Sequence, residues 1–544
     1  MFRTYFLLPL LIPLVFFREP ILAGLFRPFS RAVSWLAHNR IRAVLVIFAL
    51  STLLSAAITG IAGVPPPQTH DEFGYLLLGD TFAHGRLTNP APPLWQHFET
   101  IHEIVQPTFT AKYPIGQGVA LAIGQILGSP IIGVWLAATA ACAGICWMLF
   151  AWVPPRWAVI GGFIAVFHPL IIEWSQNYWG GAVATLGGAL VIGGVRRVMN
   201  PAPRVRDSVI FGLGIIILAN SRPYEGLIFC LLTGVAFVIW MIRARQLRFC
   251  RFFTHIAAPL ACIMALLACQ EGYYNWRVTG SPVVMPYMVH IQTYGIDPVF
   301  IFSKPRSEPV FRHKQIERLQ KDYLAYYLYE RKSWGTLFRA TVDKLHDLIQ
   351  GYSWSLLLLV PLSGLWWALR RDFTLRIAAL IGVFFLAGLM FETWMHPHYA
   401  APGASVFFLI VIASMRPVAD FHWAGRRVGS NILRGLAILL AFSFAGTVCK
   451  VVSVDHTRWF YKRRALLEDL RRLPGKSLVI VHYEADHNPH REWVYNEADM
   501  ASAKVILARD MGAENQELIQ YYRDRKVWLL HPDAAEPYLE PYPG

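Results

Sequence analysis

Long apolar stretches separated by polar connectors run along most of this chain. A helix needs about 20 apolar residues to cross the hydrocarbon of a bilayer, so these stretches predict about eleven membrane spans. The predicted spans lie near 41–63, 130–152, 157–173, 181–195, 208–220, 224–242, 252–270, 353–369, 377–394, 402–415 and 434–450. Two shorter apolar runs, 6–17 and 25–35, precede them. We expect these runs to lie along the membrane interface or to form a shallow hairpin.

The composition favours a polytopic α-helical membrane protein over a soluble one. Charged residues make up 16% of the chain and hydrophobic residues 55%, whereas soluble domains carry roughly 25% charged residues. The net charge of +15 does not indicate nucleic-acid binding, because the arginines cluster in short connectors between spans. The seven cysteines show neither a disulfide framework nor a zinc-binding spacing, and the first apolar run lacks a signal-peptide cleavage site.

The arginine-rich connectors also predict the orientation of the spans. With a cytoplasmic N-terminus they all fall inside, and the outward connectors 175–180 and 392–402 contain no Lys or Arg. We therefore expect a bacterial inner or plasma membrane protein that exports a first loop, 64–129, a second loop, 271–352, and its tail. The predicted domains are an N-terminal cytoplasmic or interfacial segment, 1–40, a transmembrane domain, 41–450, and an extracytoplasmic domain, 451–544.

The tail has a pattern unlike the rest of the chain. Residues 476–482 and 526–530 have the composition of short strands, and residues 512–522 have the spacing of a helix. Strand, helix and strand with brief connectors predict a small α/β domain on the outer membrane face. The tail contains no Gly-rich phosphate loop and no evident nucleophile.

Two adjacent acids, Asp71 and Glu72, open the first exported loop. Acids beside a bilayer are costly, so the pair indicates a functional site. One could act as a base on an acceptor hydroxyl while the other orients a partner or a metal. The alternative is an ordinary helix N-terminus, where acids complement the helix dipole.

The rest of this loop contains two predicted amphipathic helices, near 73–84 and 115–127. His97 and His102 lie between them, and their spacing is compatible with a divalent-metal site or with a solvated loop. Lys112 immediately precedes the second helix. It could bind a lipid phosphate or be an interfacial lysine whose ammonium reaches water.

Three other outward segments carry candidate ligands. Arg222 interrupts an apolar stretch at Ser221–Gly226 and suits bidentate phosphate binding, or forms an internal ion pair with a nearby glutamate. His398 and Tyr399 follow a predicted span and could bind phosphate or acceptor. The turn around Asn177 and Trp179, which Glu173 enters, is typical of sugar recognition, although such aromatics also build interfacial belts.

The order of these motifs resembles GT-C-fold glycosyltransferases. The similar branch includes dolichyl-phosphate-mannose protein mannosyltransferases and the bacterial aminoarabinose lipid A transferase. The resemblance spans roughly residues 41 to 415 and gains its weight from shared order. The matching positions, in order, are Asp71-Glu72, Tyr75, Gly85, Lys112-Tyr113-Pro114, Gly128, Arg222-Pro223, Tyr274-Asn275, Thr279-Gly280-Ser281-Pro282, and His398-Tyr399 before Pro402.

This resemblance implies a GT-C-like fold, with extracytoplasmic juxtamembrane helices, that transfers sugar from a polyprenyl-phosphate donor with inversion. The bilayer and a protein, lipid or glycan acceptor are the other expected partners. The implied catalytic residues are Asp71, as the base, and Glu72; the donor-phosphate residues are Lys112, Tyr113, Arg222, His398 and Tyr399; and the acceptor or sugar residues are Glu173, Asn177, Trp179, Tyr274 and Asn275. Relatives often carry a further acid where this chain has Asn177-Tyr178-Trp179, so a divalent metal is left open and no cofactor is certain.

Two other functions fit the same residues. A flippase or exporter of lipid-linked sugars would use the cations to hold phosphate without cleaving the glycosidic bond. A non-catalytic receptor or scaffold would present the tail outside. Asp71 distinguishes these alternatives, because only a transferase needs a base beside the sugar.

Overall fold

The structure of the protein is a computed structural model. It describes residue 9 and residues 19–543, apart from 245–248, 355 and 424. The apolar run 6–17, expected at the interface, lies almost wholly outside the described residues. The second run, 25–35, belongs to a helix that packs beside the first membrane span.

Helices dominate the described part of the chain. In order they are α1 Glu19–Ala37, α2 Arg40–Ala62, α3 His70–Ala83, α4 Ile115–Ile126, α5 Pro130–Leu149, α6 Pro155–Phe167, α7 Pro169–Trp174, α8 Gly181–Val198, α9 Val205–Ala219, α10 Pro223–Ala244, α11 Phe249–Phe252, α12 Ala258–Thr279, α13 Pro286–Tyr294, α14 Lys314–Glu330, α15 Trp334–Tyr352, α16 Leu365–Arg371, α17 Phe373–Leu389, α18 Ala404–Ala419, α19 Val428–Val452, α20 Trp459–Arg472 and α21 Asn515–Tyr521. A π-helical turn, Phe253–Ala257, joins α11 to α12.

Seven helical segments of the described chain are long and apolar enough to cross a membrane. They are Arg40–Ala62, Pro130–Leu149, Gly181–Val198, Pro223–Arg243, Cys250–Thr279, Ala401–Ala419 and Val428–Val452. The pair Trp334–Tyr352 and Leu357–Arg371, bent by 89°, would add an eighth if it is one span. The prediction of a polytopic helical membrane protein is confirmed, but the count of about eleven spans is not.

The difference in number arises where predicted spans are broken or short. The predicted span 157–173 is divided between α6 and α7, because His168 precedes Pro169 and a residue before proline is disfavoured in the α conformation. The predicted spans near 208–220 and 377–394 form helices of only 15 and 17 residues. The predicted span 353–369 contains 3-10 turns rather than one continuous helix.

Small residues bring several of these helices into backbone contact. A Cβ at Gly133 of α5 would lie 1.9 Å from the carbonyl oxygen of Ala120 in α4. A Cβ at Gly188 of α8 would lie 1.9 Å from the carbonyl oxygen of Pro402. Helices in membranes associate through such small residues because lipid supplies no hydrophobic driving force between them. The contact at Gly133 holds α4, and the residues just before it, against the bundle.

The first exported loop contains both predicted juxtamembrane helices, α3 and α4. Between them lies a small antiparallel sheet of β1 Asn89–Pro90, β2 Glu103–Ile104 and β3 Thr108–Ala111, in the order β1-β3-β2. Strand β3 leads directly into Lys112 and Tyr113, so the sheet positions the residues that precede α4.

The tail folds into the predicted small α/β unit. Its strands are β4 Lys476–Val481, β5 Val505–Arg509, β6 Arg525–His531 and β7 Tyr538–Pro541, in the order β5-β4-β6-β7. β4 is parallel to β5 and β6, and β7 is antiparallel to β6. Strands β4 and β6 and the helix α21 match the prediction, whereas β5 and β7 were not foreseen.

Alternate residues of this sheet face different partners. Leu478 and Ile506 pack with Leu77 and Phe109 of the first exported loop. Their neighbours, including Val479, pack on the other face against α20. Side chains alternate between faces along a strand, so one face of the tail sheet covers the first loop.

We expect Gly133→Ala to destabilise the protein, because the new methyl group would overlap the backbone of α4. Overpacking of this kind costs about 1–3 kcal/mol. The measurement is the melting temperature of the purified protein in detergent. Gly234→Ala is the matched control, since a Cβ there meets nothing within 4 Å. An equal effect of the two substitutions would contradict the proposed contact between α4 and α5.

Candidate functional site

Asp71 is held by a tyrosine and a histidine. The Tyr113 hydroxyl donates to Oδ1 of Asp71 at 2.5 Å, and Nδ1 of His102 lies 2.6 Å from the same hydroxyl. Burial lowers the pKa of His102 well below its usual value, so its ring is neutral near pH 7. Because the tyrosine proton points to the carboxylate, Nδ1–H of His102 is the donor to the tyrosine oxygen. The side chain of Asp71 is still 37% exposed, so it is oriented and accessible.

Lys112 lies beside this carboxylate without forming an ion pair in the described part of the chain. Its ammonium nitrogen lies 5.4 Å from the ring centre of Tyr113 and 5.5 Å from that of Tyr287. Burial lowers the pKa of Lys112 to about 8, and the carboxylates of Asp71 and Asp297 oppose this shift. A cation held between aromatic rings and lacking a direct acidic partner is suited to binding an external anion.

Arg222 is brought to the same region by the turn between α9 and α10. The N–H of Gly116 donates to the carbonyl of Asn220 at 2.6 Å, which ties this turn to the start of α4. The Arg222 guanidinium lies 4.5 Å from the ring centre of Tyr399 and 3.5 Å from the Glu225 carboxylate. The internal ion pair that the sequence suggested for Arg222 is therefore present. It uses only part of the donor capacity of the guanidinium.

Tyr399 is affected by the charges of both Arg222 and Asp71. Burial raises the pKa of Tyr399 well above its usual value; Arg222 lowers this pKa and Asp71 raises it. Both charged groups therefore act on one tyrosine. Asp71 and Lys112 both contact Tyr113. Arg222 contacts Tyr399, which is linked through His398 and Trp179 to Thr69 at the start of α3. We call Asp71, Lys112 and Arg222 the charged cluster.

His398 and Trp179 form an aromatic wall next to Tyr399. The ring centres of Trp179 and His398 are 4.3 Å apart, and those of His398 and Tyr399 are 4.8 Å apart. The indole N–H of Trp179 donates to the Thr69 hydroxyl at 3.1 Å, and Asn177 accepts a hydrogen bond from the Trp179 backbone. These contacts fix the wall relative to the start of α3.

A cavity of about 810 Å³ lies behind this wall. It lies between the C-terminal ends of α2 and α19, and its polar lining includes Glu173, Asn177, His398, Lys450 and Arg458. Asp71, Lys112 and Arg222 do not line this cavity. Trp179 and His398 line the cavity and lie next to Tyr399, and Glu72, the neighbour of Asp71, lines it as well.

Glu72 has a different environment from its neighbour Asp71. Its Oε2 accepts from the backbone N–H groups of Gln68 and Thr69 at 2.5 and 3.2 Å, and Oε1 accepts from the N–H of Tyr178 at 3.0 Å. Burial raises its pKa to about 7, although these hydrogen bonds lower it. Both oxygens are occupied, so Glu72 positions the start of α3 and the turn at Tyr178. Glu72 also lines the 810 Å³ cavity, and its catalytic role stays a prediction.

Tyr274 and Asn275 are not part of the charged cluster. Tyr274 packs against Phe82 near the far end of α3, and Asn275 donates to the carbonyl of Pro282 at 3.4 Å. The helical rise places Phe82 roughly 16 Å from Asp71 along α3. These two residues therefore lie near the other end of α3, and their role in sugar or acceptor binding stays a prediction.

His97 and His102 make contacts with different elements. Nδ1 of His97 lies 3.2 Å from the carbonyl oxygen of Arg509 in the tail, whereas His102 contacts Tyr113. Within the described residues, no group of three or more His, Cys, Asp or Glu side chains is arranged to hold a metal ion. The suggested metal site of His97 and His102 is thus replaced by two structural contacts.

Several residues near the charged cluster were not foreseen. Tyr287 and His290 come from α13 in the second exported loop; His290 lies 5.8 Å from His102, ring centre to ring centre. Tyr495 comes from the tail, and its hydroxyl lies 2.8 Å from Nδ1 of His70. Only His70 had a signal, its position next to Asp71, because the others are far away in the sequence.

Comparisons with known proteins agree on the fold. No protein-family model and no curated protein matches this chain in sequence. The crystal structure of ArnT from Cupriavidus metallidurans in the apo state is similar, with a TM-score of 0.54, 11% identity, and coverage of 90% of this chain and 92% of ArnT. ArnT bound to undecaprenyl phosphate gives a TM-score of 0.52 at 10% identity, with coverage of 90% and 92%. An oligosaccharyltransferase from Archaeoglobus fulgidus gives 0.49 at 12% identity, with coverage of 91% and 69%.

The similarity to ArnT extends over most of both chains, and it concerns the fold. It confirms the GT-C fold that the order of motifs predicted. The apolar helices indicate an integral membrane protein, and the similarity in fold agrees with this.

We expect Glu72→Gln to destabilise the protein more than Asp71→Asn. In a glutamine, the NH2 group would replace one carboxylate oxygen and would face a backbone N–H that now donates to Glu72. Two donors would then meet, and a buried polar group would be left without a partner at a cost of about 1–3 kcal/mol. Asp71 is partly exposed and loses less. Melting temperatures of both variants in detergent provide the measurement. A larger loss for Asp71→Asn would show that Glu72 does not hold this structure together.

Proposed function

We propose that this protein is an inverting membrane glycosyltransferase that moves a sugar from a polyprenyl-phosphate donor to an acceptor on the extracytoplasmic face. The observation that carries the proposal is the charged cluster. It combines an oriented, accessible carboxylate at Asp71 with the cations of Lys112 and Arg222. Each group answers one chemical need of this reaction.

The donor needs stabilisation of its leaving group. When the acceptor oxygen attacks the anomeric carbon, the bond from that carbon to the phosphate oxygen breaks and the lipid phosphate leaves with the electron pair. Lys112 and Arg222 would stabilise the negative charge that develops on the phosphate, so no general acid is required. The proton of the acceptor hydroxyl would pass to Asp71 as the base.

The hydrogen bonds around Asp71 favour transfer over export. Tyr113 engages Oδ1, and the described residues provide no hydrogen bond to Oδ2. One oxygen can therefore be oriented while the other receives a proton. A flippase or exporter of lipid-linked sugars needs the cations but not an oriented base, and a scaffold needs neither.

The similarity to ArnT supports a lipid donor. One ArnT structure of the same fold is bound to undecaprenyl phosphate, which is the product that a polyprenyl-phosphate sugar would release. We assign an equivalent lipid phosphate to the region of Lys112 and Arg222. His398 and Tyr399 would then border the sugar or the phosphate.

The 810 Å³ cavity is the proposed place for the acceptor. Its volume lies within the range of small-molecule sites, and Glu173, Asn177 and Trp179 are among its lining residues. Carboxylate, amide and aromatic groups can pair with the hydroxyls and apolar faces of a sugar. These residues therefore keep their predicted role in acceptor or sugar binding.

We expect Asp71→Asn to abolish turnover while donor binding is retained. Asparagine keeps the size of the side chain but cannot accept the acceptor proton, so the rate should fall by about a hundredfold or more. The measurement is release of polyprenyl phosphate from a panel of polyprenyl-phosphate sugars by protein in nanodiscs, with and without acceptor extract.

The outcomes separate the candidate functions. Release of polyprenyl phosphate by the wild type, together with loss of this release in Asp71→Asn, supports transfer. No release with any donor, together with movement of lipid-linked sugar between leaflets that Asp71→Asn leaves intact, would establish export instead. Donor binding, measured in parallel, controls for misfolding of the variant.

We expect kcat/KM to fall as pH rises through about 8. The pKa of free Lys112 is lowered to about 8 by burial, so its ammonium is present below this pH and lost above it. The pH dependence of kcat/KM reports groups of the free enzyme. In Lys112→Arg the guanidinium stays charged, so the alkaline limb should disappear even if the overall rate is lower. An unchanged alkaline limb in this variant would exclude Lys112 as its source.

A further inference from the structure

A second groove, of about 430 Å³, lies far from the charged cluster. It is formed by one face of α1 and by Arg434 near the start of α19, and we call it the arginine groove. Arg27 and Arg31 are one helical turn apart on α1, as are Ser30 and Ser34, so these four residues share one face of the helix. Phe26 provides an apolar part of the lining.

The cations of the arginine groove are not neutralised by acids. Within the described residues, none of Arg27, Arg31 and Arg434 forms an ion pair. Arg434 donates to Oδ1 of Asn431 at 3.0 Å, which leaves most of its five N–H donors for another partner. Three guanidinium groups around one concavity repel each other unless an anion lies between them, and their planar donors match phosphate oxygens.

The surroundings indicate that this anion belongs to a lipid. Leu25, Phe29 and Trp35 of the same helix are 67%, 43% and 57% exposed, which is expected of an amphipathic helix lying in the membrane interface. A soluble anion would approach the arginines from water, whereas a phospholipid would also cover these side chains with its acyl chains.

The groove and the charged cluster lie near opposite ends of α2. α1 precedes α2, and Asp71 follows the other end of α2. The 23 residues of α2 span about 34 Å, enough to cross the hydrocarbon. The predicted orientation places α1 and the start of α19 on the cytoplasmic side.

We propose that the arginine groove binds the phosphate of an anionic phospholipid on the membrane face opposite Asp71. Arg27, Arg31 and Arg434 would donate to the phosphate oxygens, and the Ser30 hydroxyl could add a further donor. Basic pockets between helices on the cytoplasmic side are suited to anionic headgroups. The competing explanation is that these arginines only set the orientation of the helices.

The test compares lipid retention by detergent-purified protein in native mass spectrometry. The probes are phosphatidylglycerol and phosphatidylcholine, each titrated separately. We expect the wild type to retain phosphatidylglycerol preferentially and R27Q/R31Q to retain it about thirtyfold less, since each arginine near a membrane surface contributes about a factor of five. The matched control is R156Q/R371Q, which removes two exposed arginines outside the groove.

A second variant and a competitor complete the test. R434Q changes the groove from the other helix, so a similar loss there cannot come from misplacing α1. Equal retention by wild type, R27Q/R31Q and R434Q would overturn the proposal, as would equal loss in R156Q/R371Q. Displacement of phosphatidylglycerol by millimolar inorganic phosphate would assign the groove to a soluble anion and overturn its assignment to a lipid.

Discussion

The hydrogen bond from Tyr113 to Asp71 is the contact on which the charged cluster depends. It joins the first turn of α3 to the residue that precedes Pro114 and α4, and the stacking of Tyr75 on Tyr113, with ring centres 4.4 Å apart, supports the same junction. The glycine contact between α4 and α5 and the bond from Gly116 to Asn220 then fix α4 against the bundle and against the turn of Arg222. Because these contacts share α4, the positions of Asp71, Lys112 and Arg222 are set together rather than separately.

Two adjacent acids acquire opposite roles through helix geometry alone. Successive side chains on an α-helix point about 100° apart, so Asp71 and Glu72 cannot face the same space. Asp71 turns toward Tyr113 and remains 37% exposed, whereas Glu72 turns inward and accepts three backbone hydrogen bonds. The difference in burial thus leaves the Asp71 carboxylate accessible, whereas the Glu72 carboxylate holds the backbone.

Local patterns predicted what depends on local physics. Apolar periodicity located α3 and α4 because a helix face repeats within a few residues, and motif order predicted the GT-C fold. Neither pattern could show that Tyr495 would contact His70, since these residues are 425 positions apart. Nor could either show that Tyr274 packs at the far end of α3, because a motif carries no information on position along a partner helix. The predicted number of spans is not confirmed, in part because Pro169 divides the apolar stretch 157–173 into two helices.

The tail belongs to the candidate site although it contains no catalytic motif. Asp80 of α3 accepts from the backbone of Ala498 in the tail at 2.7 Å and from Gln125 of α4 at 2.7 Å, so one carboxylate joins the tail to both juxtamembrane helices. Arg509 donates to the carbonyl of Glu99 at 2.6 Å, and one face of the tail sheet packs on the same loop. The loop buries Leu77, Phe98 and Phe109 against an apolar surface that lies outside the loop. The tail supplies that surface, and therefore it stabilises the loop that carries Asp71 and Lys112.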